Sequence, residues 1–403
     1  MKATQQQTRE HNRNLALGIL FDRPSVSRAE ISRITGLTRT TISGIVADLI
    51  RAGLVHEVGL GKSRGGKSPI LLSLIPDSRS VIGLDLAYDT FSGAVVDLRG
   101  KIQQRAETPV RGRDGDAALA SVYELLDELV PAARQPLVGI GVGTPGLVSA
   151  SRGVVVNAVN LDWRNLPLRQ LLHDRYHVPV TVVNDSQAAA VGEHTFGEGH
   201  SLDSSLILVN VRHGIGAGII INGELFHGDG GGAGEIGHVV VVREGGLPCR
   251  CGNSGCLETV ASTRAVVQRA QMLARHFEGS SLSNVPEVTF ERVQQAFADG
   301  DPVAQQVVRE AGRFMGMAVS SLMGTLNIHR IVLAGGITSF GQPLLDVVHE
   351  TVTQTMLTRL VQDTRVEFER LGHNEIVLGA CAVLLKDYSL LFESASHRTR
   401  ATA

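Results

Sequence analysis

Three of the chain's four cysteines fall within eight residues, Cys249-Arg-Cys251-Gly-Asn-Ser-Gly-Cys256, and His238 stands just upstream at the end of Gly234-Glu235-Ile236-Gly237-His238. One imidazole and three thiols have the count and softness of a closed tetrahedral zinc site. Cys-x-Cys sets two thiolates on one bend of chain, and Gly252 and Gly255 let the loop fold back with the third. The alternative is a reduced, buried thiol cluster; a disulfide would leave one cysteine odd. With His238, Cys249, Cys251 and Cys256 all bound to zinc, no position remains for a metal-bound water. The expected site is therefore structural and pins a loop over residues 238–256.

A chain of 403 residues has room for two or three domains with substantial cores. No apolar run is long enough to cross a bilayer, and residues 1–13 lack a hydrophobic signal core. Free thiols without a paired framework fit a reducing cytoplasm. The net charge of −2 hides an asymmetry: residues 1–75 hold 11 Lys/Arg against 5 Asp/Glu, and the remainder 27 against 35. A basic head on an acidic body suits a nucleic-acid-binding module joined to a small-molecule domain.

Within the head, residues 12–22 predict a helix with Leu15, Ile19 and Leu20 at helical spacing, ended by Pro24-Ser25. Ser27 and Glu30 form a capping box for a second helix carrying Ala29, Ile31 and Ile34, which stops at Gly36. Thr38 caps a third, with Ile42, Ile45, Val46, Leu49 and Ile50 turned inward. Its first turn offers Arg39, Thr40, Thr41 and Ser43, groups that hydrogen-bond phosphates and base edges when a helix N-terminus enters the major groove. A β pair follows over 54–58 and 69–74, and its tip carries Lys62, Arg64 and Lys67 among glycines. That is the pattern of a winged helix-turn-helix whose wing lies on the DNA backbone or reaches into the minor groove. A solvated loop beside a protein-interaction module is the alternative.

Pro76-Asp77-Ser78 reads as a linker between a DNA-binding domain, residues 1–76, and an α/β body, residues 77–395. In the body a hairpin over 80–97, a helix over 116–133, a buried strand over 137–143 and a strand over 180–183 lead to Asn184-Asp185. Polar residues at the carboxyl end of a strand are where α/β sheets place ligands. The cycle repeats with a hairpin over 206–221, helices over 262–276, 287–298 and 302–327, and a strand over 331–334 running into Gly335-Gly336. A helix over 344–362, a strand over 365–368 and a helix over 377–390 close the chain. The expected plan is two hairpin-first α/β halves with a cleft between them.

The string 234–238, the cluster Cys249-x-Cys251-Gly-x-x-Gly-Cys256-Leu-Glu258 and the turn Gly141-x-Gly143-Thr-Pro-Gly146 together resemble the ROK family, over about residues 80–390. That family groups sugar kinases and sugar-responsive repressors on an actin-like, hexokinase-like fold, and a winged helix in front resembles the repressor branch. The resemblance implies a sugar pocket in which Asn184 and Asp185 bind hydroxyls, Glu235, His238 and Glu258 close around the anomeric end, and Asn157 lines the opposite wall. On the residues alone, Glu235 could instead bond a backbone amide and Asn157 could cap a turn. His238 would serve twice, one ring nitrogen on zinc and the other toward the sugar.

The phosphate machinery departs from the family's kinases. They resemble Asp-x-Gly-Gly-Thr-Lys in the first hairpin turn, where this chain has Asp85-Leu86-Ala87-Tyr88-Asp89-Thr90. Tyr88 adds bulk at a glycine position, and Asp89 puts a negative charge where a phosphate oxygen would sit. The second turn, Arg212-His213-Gly214-Ile215-Gly216, replaces Gly-Thr-Gly-x-Gly. The expectation is therefore no enzyme, but a cytoplasmic repressor that binds operator DNA as a homodimer or homotetramer and takes a monosaccharide effector. The competing expectation is an ATP-dependent sugar kinase with an appended DNA-binding head.

Overall fold

The structure, a computed structural model, describes residues 4–62, 68–110, 112–134, 136–197, 204–283 and 285–393. They form two compact units: the first comprises 1–146, 150–183 and 380–403, the second 147–149 and 184–379. The N-terminal 76 residues belong to the first unit.

Short-range capping builds the start of the chain. Helix α1 (Gln5–Asp22) begins seven residues before the expected start, because Thr4 and Gln7 form a reciprocal capping box. Its buried side chains are Ala16, Leu17 and Leu20, while Leu15 faces outward. After the two-residue strand β1 (Val26–Ser27), the Ser27 hydroxyl accepts from Glu30 N to cap α2 (Arg28–Thr35). The Glu30 carboxylate turns to Arg23 at 2.7 Å. Gly36 ends α2 at φ +71°, a conformation glycine adopts without strain. Thr38 caps α3 (Arg39–Arg51), which buries Ile42, Ile45, Val46 and Leu49; Ile50, expected inside, is exposed, as is Ile34 of α2. Strands β2 (Val55–Leu60) and β3 (Ile70–Leu74) complete an antiparallel sheet of order β1-β3-β2. The stretch 76–78 is a 3-10 turn rather than an extended linker.

Two five-stranded sheets follow, one per unit. The first is built from β4 (Ser80–Leu86), β5 (Thr90–Val96), β6 (Ile102–Pro109) and β7 (Leu137–Thr144), with α4 (Gly115–Ala132) packed against β5 and β6. Beyond β8 (Leu147–Ser149), β9 (Val154–Ala158), β10 (Trp163–Leu166) and α5 (Leu168–Tyr176), β11 (Val180–Asn184) joins it, giving the order β11-β7-β4-β5-β6. The second sheet has the order β14-β13-β12-β15-β16 and follows α6 (Asp185–Phe196). Its strands are β12 (Leu206–Val211), β13 (Ile215–Ile221), β14 (Glu224–Leu225), β15 (Arg330–Ala334) and β16 (Arg365–Phe368). Asn222-Gly223, both at positive φ, makes the tight turn from β13 to β14. Both sheets start from an antiparallel hairpin and pair its first strand in parallel with a later one, β4 with β7 and β12 with β15. The repeat expected from sequence is thus present strand for strand.

Around the second sheet stand α7 (Glu258–Ala261), α8 (Thr263–Ala274), α9 (Phe290–Ala298), α10 (Pro302–Leu326), α11 (Gly341–Thr355) and α12 (Thr358–Asp363). The helix expected over 344–362 is broken at 356–357, and the closing helix is two, α13 (Glu375–Leu385) and α14 (Leu390–Glu393). Two ion pairs tie the second unit's strands to α6, with Arg330 reaching the buried Glu193 and the half-buried Glu367, each at 2.7 Å. No helix among the described residues is long and apolar enough to cross a membrane.

Within the second unit α6 and the start of α13 approach so closely that only glycine fits. A Cβ on Gly379 would collide with the Ala188 carbonyl, and one on Gly192 with that of Glu375. Gly379→Ala is expected to lower stability by about 2–3 kcal/mol, the size of an overpacked helix contact; urea unfolding of the whole chain followed by circular dichroism measures it.

Candidate functional site

The four expected metal ligands come together. The donor atoms of His238, Cys249, Cys251 and Cys256 all lie within 4.8 Å of one another. His238 Nδ1 is 3.6 Å from Cys249 Sγ, and Cys251 Sγ is 3.7 Å from Cys256 Sγ. Those are about the edges of a tetrahedron whose ligands sit ~2.0–2.3 Å from a central ion. Ionisation tells the same story. The Asn253 backbone amide holds Cys251 below the usual thiol value, whereas burial and the two neighbouring sulfurs push Cys256 up to about 12. Thiolates packed this closely repel one another, and a divalent ion between them would offset that repulsion. The residues present fit a four-coordinate metal.

Hydrogen bonds between backbone groups fold the loop that delivers them. Cys249 N donates to Asn253 O (2.7 Å), Gly255 N to Leu247 O (2.8 Å), and Val241 N and Val242 N both to Gly255 O. Gly252 and Gly255 stand at φ +98° and +74°, and a Cβ on Gly255 would strike the Val242 carbonyl. Leu257 N then donates to Val239 O, which places Glu258 at the start of α7 directly against the metal-ligand loop.

The first residues of β13 collect the polar groups. Ile215 N donates to Glu258 Oε2 at 3.3 Å, Ala217 N donates to Gly234 O beside Glu235, and Gly216 lies so close to Ser186 that a Cβ would meet its Oγ at 2.5 Å. Asp185, Glu235, His238 and Glu258 are therefore held around one short stretch of the second unit. His238 uses its two ring nitrogens on opposite sides: Nδ1 faces the sulfurs, and Nε2 lies 3.8 Å from Glu235 Oε2. Glu235 is raised above the ordinary carboxylate value by burial, with His238 opposing and Glu258 adding to the shift. Asn184 caps α6, its Oδ1 accepting from Ser186 N and Gln187 N, and Asp185 Oδ1 also takes the Ser186 N–H at 2.7 Å. Asn157 lies in the first unit, exposed on β9.

At the turn before β13 the structure gives Arg212 and His213, noted in the sequence only as departures from a kinase turn, the partners Glu375 and Arg264, which sequence reasoning passed over. Arg212 donates to Glu375, a carboxylate only 1% exposed, at 2.9 Å. Arg264 stands 3.6 Å from Glu258. Burial and the charges of Arg264 and Arg250 depress His213 to about 4, so its ring is neutral at pH 7. Spacing held no signal for this: Arg264 and Glu375 are 52 and 163 residues from Arg212 in the chain.

The head presents a second polar surface. Arg39, Thr40 and Ser43 are exposed on the first turn of α3, and Thr41 is half-buried with its hydroxyl 2.8 Å from that of Thr38. Most head cations already have acidic partners: Arg9 and Arg51 on Asp48, Arg23 and Arg33 on Glu30, Arg28 on Glu57. Among the described residues Arg13, Arg39 and Lys62 have none; Arg13 lies over the Phe392 ring, and the other two sit on the helix N-terminus and the β2–β3 connection. Arg64 and Lys67 lie outside the described residues.

Comparison with known proteins agrees with this geometry. The ROK family profile matches residues 81–387, and the chain belongs to the ROK family. It is 34% identical over 384 residues to the xylose repressor of Caldicellulosiruptor bescii, covering 93% of this chain and 96% of that one. To a glucokinase of Halalkalibacterium halodurans it is 33% identical over 309 residues, 75% of this chain and 93% of the enzyme. A solved ROK family transcriptional regulator, a homologue of the E. coli MLC protein, superposes with TM-score 0.83 at 26% identity, over 96% of this chain and 98% of that one.

Cys251→Ser removes one of four donors and a loop anchor at once. It is expected to release bound metal, by elemental analysis, and to expose the 238–256 loop to limited proteolysis, with the second unit's strands unaffected.

Proposed function

We propose that this chain is a sugar-responsive, DNA-binding transcriptional regulator, a repressor whose operator affinity changes when a monosaccharide occupies the ROK domain. The observation that carries the reading is the first turn of α3. It is exposed, bears the unpaired Arg39 with Thr40 and Ser43, and stands in a head with the order helix, turn, helix, β-hairpin. Such a turn suits a major-groove reader, with Lys62, Arg64 and Lys67 on the wing. In support, the repressor similarity spans nearly the whole chain, whereas the glucokinase similarity leaves a quarter of it without a counterpart.

In this reading Asn184, Asp185, Glu235, His238 and Glu258, with Asn157, contact the sugar, and zinc in the His238/Cys249/Cys251/Cys256 cluster holds the loop carrying the anomeric-side groups. A single small head makes few base contacts, so operator recognition calls for a dimer or tetramer that engages two half-sites. Function in the cytoplasm follows from the DNA target and the free thiols.

A kinase is the second reading, favoured by the Asp185 carboxylate at the α6 N-terminus and by the glucokinase relative. Against it, Tyr88 and Asp89 are exposed in the first hairpin turn and Arg212 and His213 occupy the second, in place of glycine and threonine. A coupled ATPase assay with hexoses and pentoses separates the two; turnover would establish the enzyme.

Two substitutions test the assignments. Asp185→Ala is expected to weaken sugar binding by about tenfold or more, the loss of a charged hydrogen bond to a hydroxyl, with operator affinity unchanged; isothermal titration reads both. Arg39→Ala is expected to weaken specific operator binding about tenfold without altering sugar affinity, by fluorescence anisotropy at fixed salt.

A further inference from the structure

Arg79 is 6% exposed and, among the described residues, meets no carboxylate. All its contacts are backbone carbonyls: Nε donates to Leu391 O (3.1 Å), Nη1 to Ser78 O (2.8 Å) and Nη2 to Ala52 O (3.1 Å). Ala52 is the C-cap of α3, and Leu391 lies in α14. One buried cation thus joins the rear end of the candidate recognition helix, the 76–78 turn and the C-terminal segment. Burying a charge without an anion is costly, and partial negative charge on carbonyls at a helix C-terminus is what makes it tolerable.

Arg99, in the turn between β5 and β6, does the same for α1. Its Nη2 donates to Leu20 O (2.9 Å) and Arg23 O (2.8 Å), and its Nη1 to Phe21 O. These are carbonyls of the last turn and C-cap of α1, which the helix itself cannot satisfy. Neighbouring contacts follow the same seam. The Phe21 ring stacks on Tyr388 at 5.2 Å, the Arg13 guanidinium lies 3.9 Å over the Phe392 ring, and Leu98 N donates to Pro76 O at 3.0 Å. Two arginines of the body therefore cap, from outside, the C-terminal ends of two head helices.

We infer that Arg79 and Arg99 are positioning residues for operator binding: they fasten the C-terminal ends of α3 and α1 to the first lobe, so that the lobe, not a loose tether, sets where the α3 N-terminus points. A head so held lets a change in the body reach the DNA as a change in half-site geometry. A head on a flexible linker would adapt to either arrangement and transmit nothing, since regulation needs differential affinity between the two states. The inference rests on the DNA-binding reading above.

The test compares full-length wild type, Arg79→Met, Arg99→Met and the conservative Arg79→Lys. Amide hydrogen exchange of residues 5–60 is measured in each, together with binding to duplexes that the wild type selects from a random pool, with and without the best-binding monosaccharide. In both Met variants, head amides are expected to exchange about tenfold faster, by local opening. Operator affinity is expected to fall about tenfold and its response to sugar to shrink to about twofold or less. Sugar affinity and metal content are expected to stay at wild-type values, and Arg79→Lys to fall between wild type and Arg79→Met. Unchanged exchange and an unchanged sugar response in both Met variants would overturn the inference, as these contacts would then be packing alone. If the wild type selects no duplex, the DNA-binding reading falls and the inference with it. Loss of operator binding with unchanged exchange would sink the fastening but leave that reading intact.

Discussion

The close packing of the 238–258 segment on the start of β13 is the constraint on which the candidate sugar site depends. Gly255 can lie under the Val242 carbonyl only without a side chain, and Ile215 N reaches Glu258 only because Leu257 is tied back to Val239. A metal held by His238 and three cysteines would cross-link that segment in addition to the backbone hydrogen bonds that already fold it. The same histidine presents Nε2 to Glu235, so ligand order and loop order are properties of one ring. A carboxylate hydrogen-bonded to a metal-bound imidazole fixes its tautomer and orientation; at 3.8 Å, Glu235 stands near His238 Nε2 without making that bond.

The same strand order recurs in the two halves of the body. Each sheet begins with a hairpin and adds later strands on the far side of its first strand, so the two hairpin turns are equivalent places in the two units. In this chain the two turns differ in sequence from the kinase turns that the family resemblance implies. The first carries Tyr88 and Asp89, and the second carries Arg212, whose guanidinium is engaged by the buried Glu375. His213 is neutral at that turn because it is buried and, secondarily, because Arg264 and Arg250 lie near it.

What was legible in the sequence was local. Ser27, Gly36 and Thr38 mark helix ends through contacts three residues away or through one glycine torsion, and all three do so in the structure. The metal cluster was legible because its ligands lie within 19 residues. The early start of α1 depended on a Thr4/Gln7 box that polarity disguised. The breaks at 356–357 and 386–389 carry no glycine or proline, so tertiary packing decides them. Strands β9 and β10 and the short α7 were missed because none has an alternating pattern long enough to stand out. Arg79 and Arg99 were invisible for a different reason: arginine in a polar stretch reads as surface, and only the fold brings carbonyls of residues 20–23, 52 and 391 to them. Asn184 illustrates the limit at the site itself, since its side-chain oxygen serves a helix cap that any ligand contact must share.

Thermodynamic reciprocity offers the most direct check on a sugar-controlled DNA reader. Sugar affinity is measured by titration on the full-length protein alone and again with saturating operator duplex. The account predicts two different constants, whose ratio equals the factor by which saturating sugar changes operator affinity. Identical sugar affinity in both titrations, or ATP consumption that depends on the sugar, would contradict it.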